Sequence, residues 1–594
     1  MFLKGRLDMR LKITKSKFKK HYSIIKDYTN TNGKRTTTIV ENLGNDEQVQ
    51  QRFGKEDTLN KINNYISSLE EKPIPIYRSP TKKIEKDLKN KFNVGYLFLQ
   101  HIYYSLKLNV MCGEIENKYQ FKFDLNKILE CLIYSRILWP ASKLSTCELS
   151  KKFIEKFILE YQHVLRSLDY FANEFDYIQK YLFDNSNKVL NRNYKVIYYD
   201  CTNFFFYTEE NEFQRYGISK QHQPLPLVQM GLFMDAEGLP FAMNINPGNT
   251  SETKTMIPSE EKFLEDFNLD GKNIIVCTDA AMCTDEIKKF NIKDGRGFVI
   301  TQSIKKLKIE EKKWALNPDG WRILGNLEES YNIENIEKDP ELKKIFYNKI
   351  FYKEIESETK SVKQTIIVTF SFKYQSWQKN VRKKQFERAK KIVDEINKNN
   401  QNAEKKSDIE KIKLSKNPND PKRFIKEYRT TDNGEVAENI TYLVDENIFK
   451  EEEKYDGFYG ITTNLINDTE TVIKVMNGRW EIEESFRIIK EEFDSDNVYL
   501  SKENRIKAHF LICYLSLFIY RVLEKKLDEK YTVYEIIDCL RDMEMLEIKG
   551  HGYLPAYART DLTDDLHLIF GLNTDTEIVT YKKMKEILNT IKTI

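Results

Sequence analysis

The sequence predicts an α/β protein: a mixed-sheet core, preceded by a helical region and interrupted by a mostly β insertion. Three observations predict it. Residues 83–185 carry apolar side chains at three- and four-residue spacing, as in FDLNKILECLIYSRIL, the period of helices that bury one face. From Lys195 onward, aromatic and β-branched runs alternate with turns and helical stretches, as they do in α/β cores. A long polar stretch, 305–455, separates those runs from further strand and helix patterns.

The elements follow in order. Residues 1–80 form a small β/α region. Its 11–45 part reads as short strands with a turn at Thr31-Asn32-Gly33-Lys34, and 46–75 reads as helix. Pro73 to Pro80 marks a linker. A helical domain spans 81–190.

The first part of the core is 191–304. Lys195–Phe206 (KVIYYDCTNFFF) and Leu227–Met234 (LVQMGLFM) are strands. The chain turns at Asp235-Ala-Glu-Gly238 and returns through Leu239–Asn246, which gives three consecutive antiparallel strands. A helix at 251–267 contains Pro258. Asn273–Thr278 (NIIVCT) is short and apolar, as a central buried strand is. A helix at 283–290 and a strand at Gly297–Ser303 complete the order β-β-β-α-β-α-β. That is the order of the ribonuclease-H-like fold, and other α/β folds show parts of it.

The insertion, 305–455, holds strand-like pieces (QTIIVTFSF, ENITYLVDE) around a charged helix near 376–400. The second part of the core, 456–530, has a strand at Gly457–Leu465, a helix at 470–492 and an apolar helix at 504–528. A C-terminal region, 531–594, follows.

Of 594 residues, 40% are hydrophobic and 12% aromatic, which excludes a disordered chain. Net charge is only +4, so any basic surface must come from distribution. Lys and Arg cluster at 1–35, 376–392 and 403–426, and each cluster reads equally as solvated surface or as a nucleic-acid face. No two of the eight cysteines have C-x-x-C spacing, which argues for free thiols in a reducing compartment. The first residues, MFLKGRLDMRLK, lack the apolar segment of a secretory signal. The longest apolar run, Phe510–Tyr520, is shorter than a bilayer span. A cytoplasmic location is expected.

Phosphodiester hydrolysis and transesterification need little beyond carboxylates that position divalent ions. Candidates are acids at strand ends beside the core. Asp200 sits within the first core strand, where an acid is costly unless something binds it. Asp279 ends the central strand, at the edge where open α/β sheets bind ligands. Taken singly, Asp279 also fits a helix N-cap and Asp200 a turn acid. The third acid lies among Glu481, Glu483 and Glu484. At about 100° per residue, Arg479, Glu483 and Lys490 fall within roughly 40° of one another. They flank the apolar stripe of Ile482, Phe486, Ile489 and Phe493. Glu481 and Glu484 point elsewhere. Ordinary i,i+4 pairing of Arg479 with Glu483 on an amphipathic helix is the other reading.

Arg479-Trp-Glu-Ile-Glu-Glu-Ser-Phe-Arg-Ile-Ile-Lys490 resembles the Y-x2-R-x3-E-x6-K signature of bacterial insertion-sequence DDE transposases. It is most similar to the subgroup that reads W-x-I-E-E-S-F-R. Further blocks match in family order over roughly 45 to 525. They are Tyr199-Asp200, Gly217-Ile-Ser-Lys220 with His222, Asp235-Ala-Glu-Gly-Leu-Pro240, Pro247-Gly-Asn-Thr250 with Glu252, Thr278-Asp279-Ala280, Asp456-Gly-Phe-Tyr459 and Arg505-Ile-Lys-Ala-His509-Phe510.

The resemblance implies a ribonuclease-H-like catalytic core and a mostly β insertion before the catalytic Glu. It implies Asp200, Asp279 and Glu483 as ligands of two Mg²⁺ ions, with Mn²⁺ as a substitute. It implies binding to terminal inverted repeats, cleavage, and joining of the 3′ end to target DNA, by a dimer that pairs two element ends. Arg479 and Lys490 are expected on DNA phosphates, Trp480 on an unpaired base or in the core, and Lys220 and His222 on DNA or plain surface. Sequence readers are expected in the N-terminal regions.

Two positions depart from the family. The signature tyrosine is Met476, and Asp496-Asn497-Val498-Tyr499 stands where Arg-Pro-Val-Tyr is usual. A catalytically impaired or domesticated DNA-binding protein, or a structure-specific nuclease of the same fold, are the competing functions.

Overall fold

The structure is a computed structural model. It describes residues 9–15, 20–29, 35–70, 83, 86–217, 224–269, 271, 273–293, 295–359, 362–401, 411–417, 419–430, 439–466, 469–496 and 498–594. The chain divides into two compact units, Met1–Lys89 and Asn90–Ile594.

In the first unit, strands Met9–Lys15, Lys20–Thr29 and Arg35–Asn45 pair antiparallel in that order. Helices Asp46–Phe53 and Thr58–Glu70 follow, and Ile24, Val49 and Ile62 form the core between sheet and helices. Asn45 starts the first helix by accepting from the Gln48 amide, and the Gln48 side chain returns a bond to the Asn45 amide. The helix expected over 46–75 is broken at Gly54, whose φ of +88° suits glycine. The turn at 31–34 and the linker at 73–80 lie outside the described residues.

The second unit is built on one ten-stranded sheet. Its strands are β1 (Val196–Phe205), β2 (Leu227–Met234), β3 (Pro240–Pro247), β4 (Ile275–Thr278), β5 (Gly297–Thr301), β6 (Trp321–Ile323), β7 (Asn326–Tyr331), β8 (Phe351–Glu358), β9 (Lys363–Phe370) and β10 (Phe458–Thr463). Their spatial order is β7-β6-β8-β9-β10-β5-β4-β1-β2-β3. β1, β2 and β3 are antiparallel neighbours, whereas β1, β4 and β5 run parallel. Helices α1 (Glu252–Asp266, containing Pro258) and α2 (Asp285–Lys293) make the crossovers. The alternation of β1 divides its side chains between two layers. Ile197, Tyr199 and Cys201 join one apolar core, while Tyr198 and Phe204 join the other.

The 305–455 segment corrects the expectation of a mostly β insertion. β6, β7, β8 and β9 extend the core sheet instead of closing on themselves, because β9 pairs with β10 over Thr365–Phe370. The longest element there is the helix α3 (Phe372–Gln401), rich in good helix formers. Arg382 on it is buried against Asp456, so it offers no charge to DNA; Lys383, Lys384 and Arg388 are exposed.

Two helices follow β10: α4 (Thr469–Gly478) and α5 (Trp480–Arg487). They were expected as one. A π turn, Ile488–Glu492, extends α5. The helix α6 (Glu503–Lys526) runs through the centre of the unit against the helices Leu125–Leu138 and Tyr161–Asn173. By length and composition α6 could cross a bilayer, beyond what its Phe510–Tyr520 run suggests, yet its most apolar stretch is 94% buried by protein. In the C-terminal region, Glu544–Ile548 pairs with Gly552–Pro555 and also with Lys91–Asn93.

Candidate active site

Asp200 lies halfway along β1, a strand buried over its whole length. Being even-numbered, it shares the Tyr198 and Phe204 face, against which α5 packs. β4 runs beside β1 with Tyr198 level with Cys277. Asp200 and Asp279 each lie two residues beyond that pair, Asp279 just past the end of β4. The Asp279 carboxylate also accepts from the Ala281 amide and so starts the turn Ala280–Met282.

Glu483 stands on the outer margin of α5, exposed, while Ile482 and Phe486 beside it are buried. Arg479 joins the acids. Its Nη1 is 3.5 Å from Asp200 Oδ2, and its Nη2 donates to Glu483 Oε1. Burial works against the Arg479 charge, but Glu483, Asp200, Tyr459 and Asp279 together outweigh it and hold the guanidinium above its ordinary pKa. Two of the three carboxylates, Asp200 and Glu483, therefore meet on one cation. The neighbouring acids do not. Glu481 lies 3.4 Å and Glu484 3.8 Å from the buried Arg521, and Glu484 also pairs with Arg487 at 2.9 Å.

Lys490 sits on the π turn. Its Nζ donates to the Asn203 carbonyl at 2.8 Å and lies over the Phe204 ring, three and four residues along β1 from Asp200. Trp480 is 55% exposed, so it is not a core aromatic. Lys220 and His222 lie outside the described residues.

The donor set is hard oxygen, the type that suits Mg²⁺. Among the described residues no three His, Cys, Asp or Glu side chains stand close enough to share an ion as they are. The Arg479 guanidinium takes the place of a cation between Asp200 and Glu483.

A family model described as a transposase DDE domain matches residues 194–519, more than half of the chain. The chain belongs to the DDE transposase family. Membership implies an enzyme that cleaves and transfers DNA strands. Among solved structures, the transposase is similar to a piggyBac transposase in a synaptic complex with hairpin DNA. The identity is 8% and the TM-score 0.34, over 83% of this chain and 84% of that one; a likeness so remote adds nothing to the assignment. No curated protein matches.

The two departures have definite surroundings in the transposase. Met476 is buried, and its Sδ lies 3.5 Å from the Tyr459 hydroxyl and 3.6 Å from Thr301 Oγ1. Those two hydroxyls are 2.7 Å apart. Tyr459 thus brings a phenol against Met476 from β10. Sequence reasoning passed over it, although the alternation of GFYGITTNL sets Tyr459 on the same face as the buried Ile461. Burial raises the Asp496 carboxyl, Lys490 lowers it, and Asp494 raises it. Asp235, part of a matching motif, is structural: it is fully buried, pairs with Arg192 at 2.7 Å, and accepts from the amides of Glu237 and Leu239.

Proposed function

We propose that the transposase cuts DNA at the terminal inverted repeats of its own insertion sequence and joins the freed 3′ end to target DNA, with Asp200, Asp279 and Glu483 holding two Mg²⁺ ions. The observation that carries this reading is Arg479 held between Asp200 and Glu483, with Asp279 at the end of the strand parallel to β1. Two further features support it. The order β3-β2-β1-β4-β5, with β1, β4 and β5 parallel, suits a ribonuclease-H-like core, and Arg479–Lys490 resembles the subgroup motif. Bound there, the ions would activate the attacking oxygen and stabilise the leaving one.

The chain's own residues set the rest. Asp200 is fixed within β1 and Asp279 by its cap on the turn after β4, whereas Glu483 sits on an exposed helix margin, paired with Arg479. Arg479 neutralises the acids in the absence of metal and turns to a DNA phosphate when metal replaces it. Lys490 contacts a neighbouring phosphate, and Trp480 stacks on an unpaired base. Lys220 and His222 approach DNA from the loop after β1. Two copies pair the two element ends.

The test is cleavage of a duplex that carries the element's own ends, in Mg²⁺, followed by strand transfer of a labelled donor end. Asp200→Asn, Asp279→Asn and Glu483→Gln should each abolish both steps. Activity surviving any one of the three would sink the assignment. A second reading, repeat binding without cleavage, has Asp496 in its favour, since an acid stands there where the family usually carries Arg.

A further inference from the structure

A cavity of about 580 Å³ opens where the segment after the π turn passes over the helices Leu125–Leu138 and Lys143–Leu149 and the start of α6. Three basic side chains form its wall, and all are nearly sealed from solvent: Arg136 is 5%, Lys143 6% and His509 2% exposed. Lys143 Nζ lies 3.0 Å from His509 Nδ1, and Arg136 donates to the carbonyls of Phe493 (2.8 Å) and Ala141 (3.2 Å). Among the described residues no ion pair joins any of the three to a carboxylate, and Asp494 is the acid that lines the cavity. Ser142 and Ser145 add hydroxyls. Tyr161 and Tyr499 stand at the mouth, 40% and 75% exposed.

Basic groups buried without an anion are costly to charge, and a bound anion removes that cost. Burial, with Arg136 beside it, pushes Lys143 down to about 7, and burial with Lys143 and Arg136 pushes His509 down as well. A bound anion would restore the Lys143 charge. The cavity exceeds what a free phosphate needs and falls in the range of small-ligand sites. Its rim of aromatic rings suits a base.

We propose that this cavity takes a phosphate of a DNA strand, held by Arg136, Lys143 and His509, with the adjoining base against Tyr161 or Tyr499. The anion site stands on its own geometry; its assignment to DNA rests on the function proposed above. Arg136 also holds Phe493, the residue that closes the π turn bearing Lys490, so the cavity is tied to that turn.

The test uses the full chain in EDTA, where binding does not depend on cleavage. Inorganic phosphate is titrated by calorimetry, and a short fluorescent single-stranded oligonucleotide by anisotropy. Both probes should bind, and phosphate should compete with the oligonucleotide. Lys143→Met should weaken both at least tenfold without lowering the melting temperature. Tyr499→Ala, a surface change with no folding risk, should weaken the oligonucleotide several-fold and leave phosphate binding unchanged. Failure of both probes to bind, or binding indifferent to Lys143→Met, would overturn the site. Lys143-dependent phosphate binding that the oligonucleotide cannot compete with would overturn its assignment to DNA. Absence of cleavage in Mg²⁺, with these results intact, would bear on the transposition reading alone.

Discussion

Arg479 pairs with Asp200 and Glu483 at once, so its removal leaves carboxylates facing one another with no cation between them. Two effects of opposite sign follow. Arg479→Gln should bind Mn²⁺ several-fold tighter by calorimetry, because the ion no longer competes with a guanidinium. The same variant should lose roughly 10²–10³-fold in single-turnover cleavage, the usual loss of one charge-stabilising group. Weaker Mn²⁺ binding would show that Arg479 positions the acids and does not compete at their site. Met476 gives a second case. Its thioether already fills the space beside Tyr459 and Thr301, so restoring the signature with Met476→Tyr overpacks that space. Unfolding in urea should show a loss of about 1–3 kcal/mol, with no gain in cleavage rate. Lys143 makes a pH prediction. Its pKa in the fold, about 7, lies below that of the unfolded chain, so between pH 7 and the usual lysine range the unfolded state binds more protons. Stability contributed through Lys143 therefore rises with pH across that window, and the penalty is complete below it. In phosphate-free buffer the wild type should gain up to about 2 kcal/mol more than Lys143→Met from pH 7 to pH 9.

Helix periodicity was enough to separate Glu483 from Glu481 and Glu484, because side-chain direction on a helix is a local property. Arg521, which occupies the other two, comes from α6 and shares no periodicity with them. The break between α4 and α5 was not legible, since a glycine within a helical pattern costs only about 1 kcal/mol and is often tolerated. Gly478 owes its place to a strand far away in sequence. A Cβ there would stand 2.3 Å from the Tyr198 hydroxyl, which donates to the Val475 carbonyl at 3.0 Å. Gly478→Ala should therefore push α5 off β1, destabilise the fold by about 1–3 kcal/mol and lower cleavage together with stability. Tyr198→Phe removes the obstructing oxygen. In a double-mutant cycle read by urea unfolding, the pair should be less destabilised than the two single changes summed. Additive losses would mean that the clash is relieved elsewhere.

At the scale of the whole molecule, the order of the core strands was readable because each lies between turns and helices of ordinary length. The partner of β10 was not. β9 comes from the polar segment that looked like a separate insertion, and pairing between distant strands leaves no local mark. The same holds for Lys91–Asn93, whose partner Glu544–Leu546 lies in a region that carried no readable motif. This pairing defines where the chain can be divided. A protein beginning at Asn90 keeps the strand, the Asn93 side-chain bonds to the Leu540 and Arg541 carbonyls, and the Val94 amide bond to Met543. One beginning at Gly95 loses all of them and leaves an unpaired edge on Glu544–Ile548. The 90–594 protein should melt cooperatively at the temperature of the full chain's main transition, whereas 95–594 should melt several degrees lower. If the first unit reads the repeats, 90–594 should also bind repeat and unrelated duplexes equally in a gel-shift titration. Retained preference would move sequence reading into the second unit, onto the helices of 96–189 or the exposed basic face of α3.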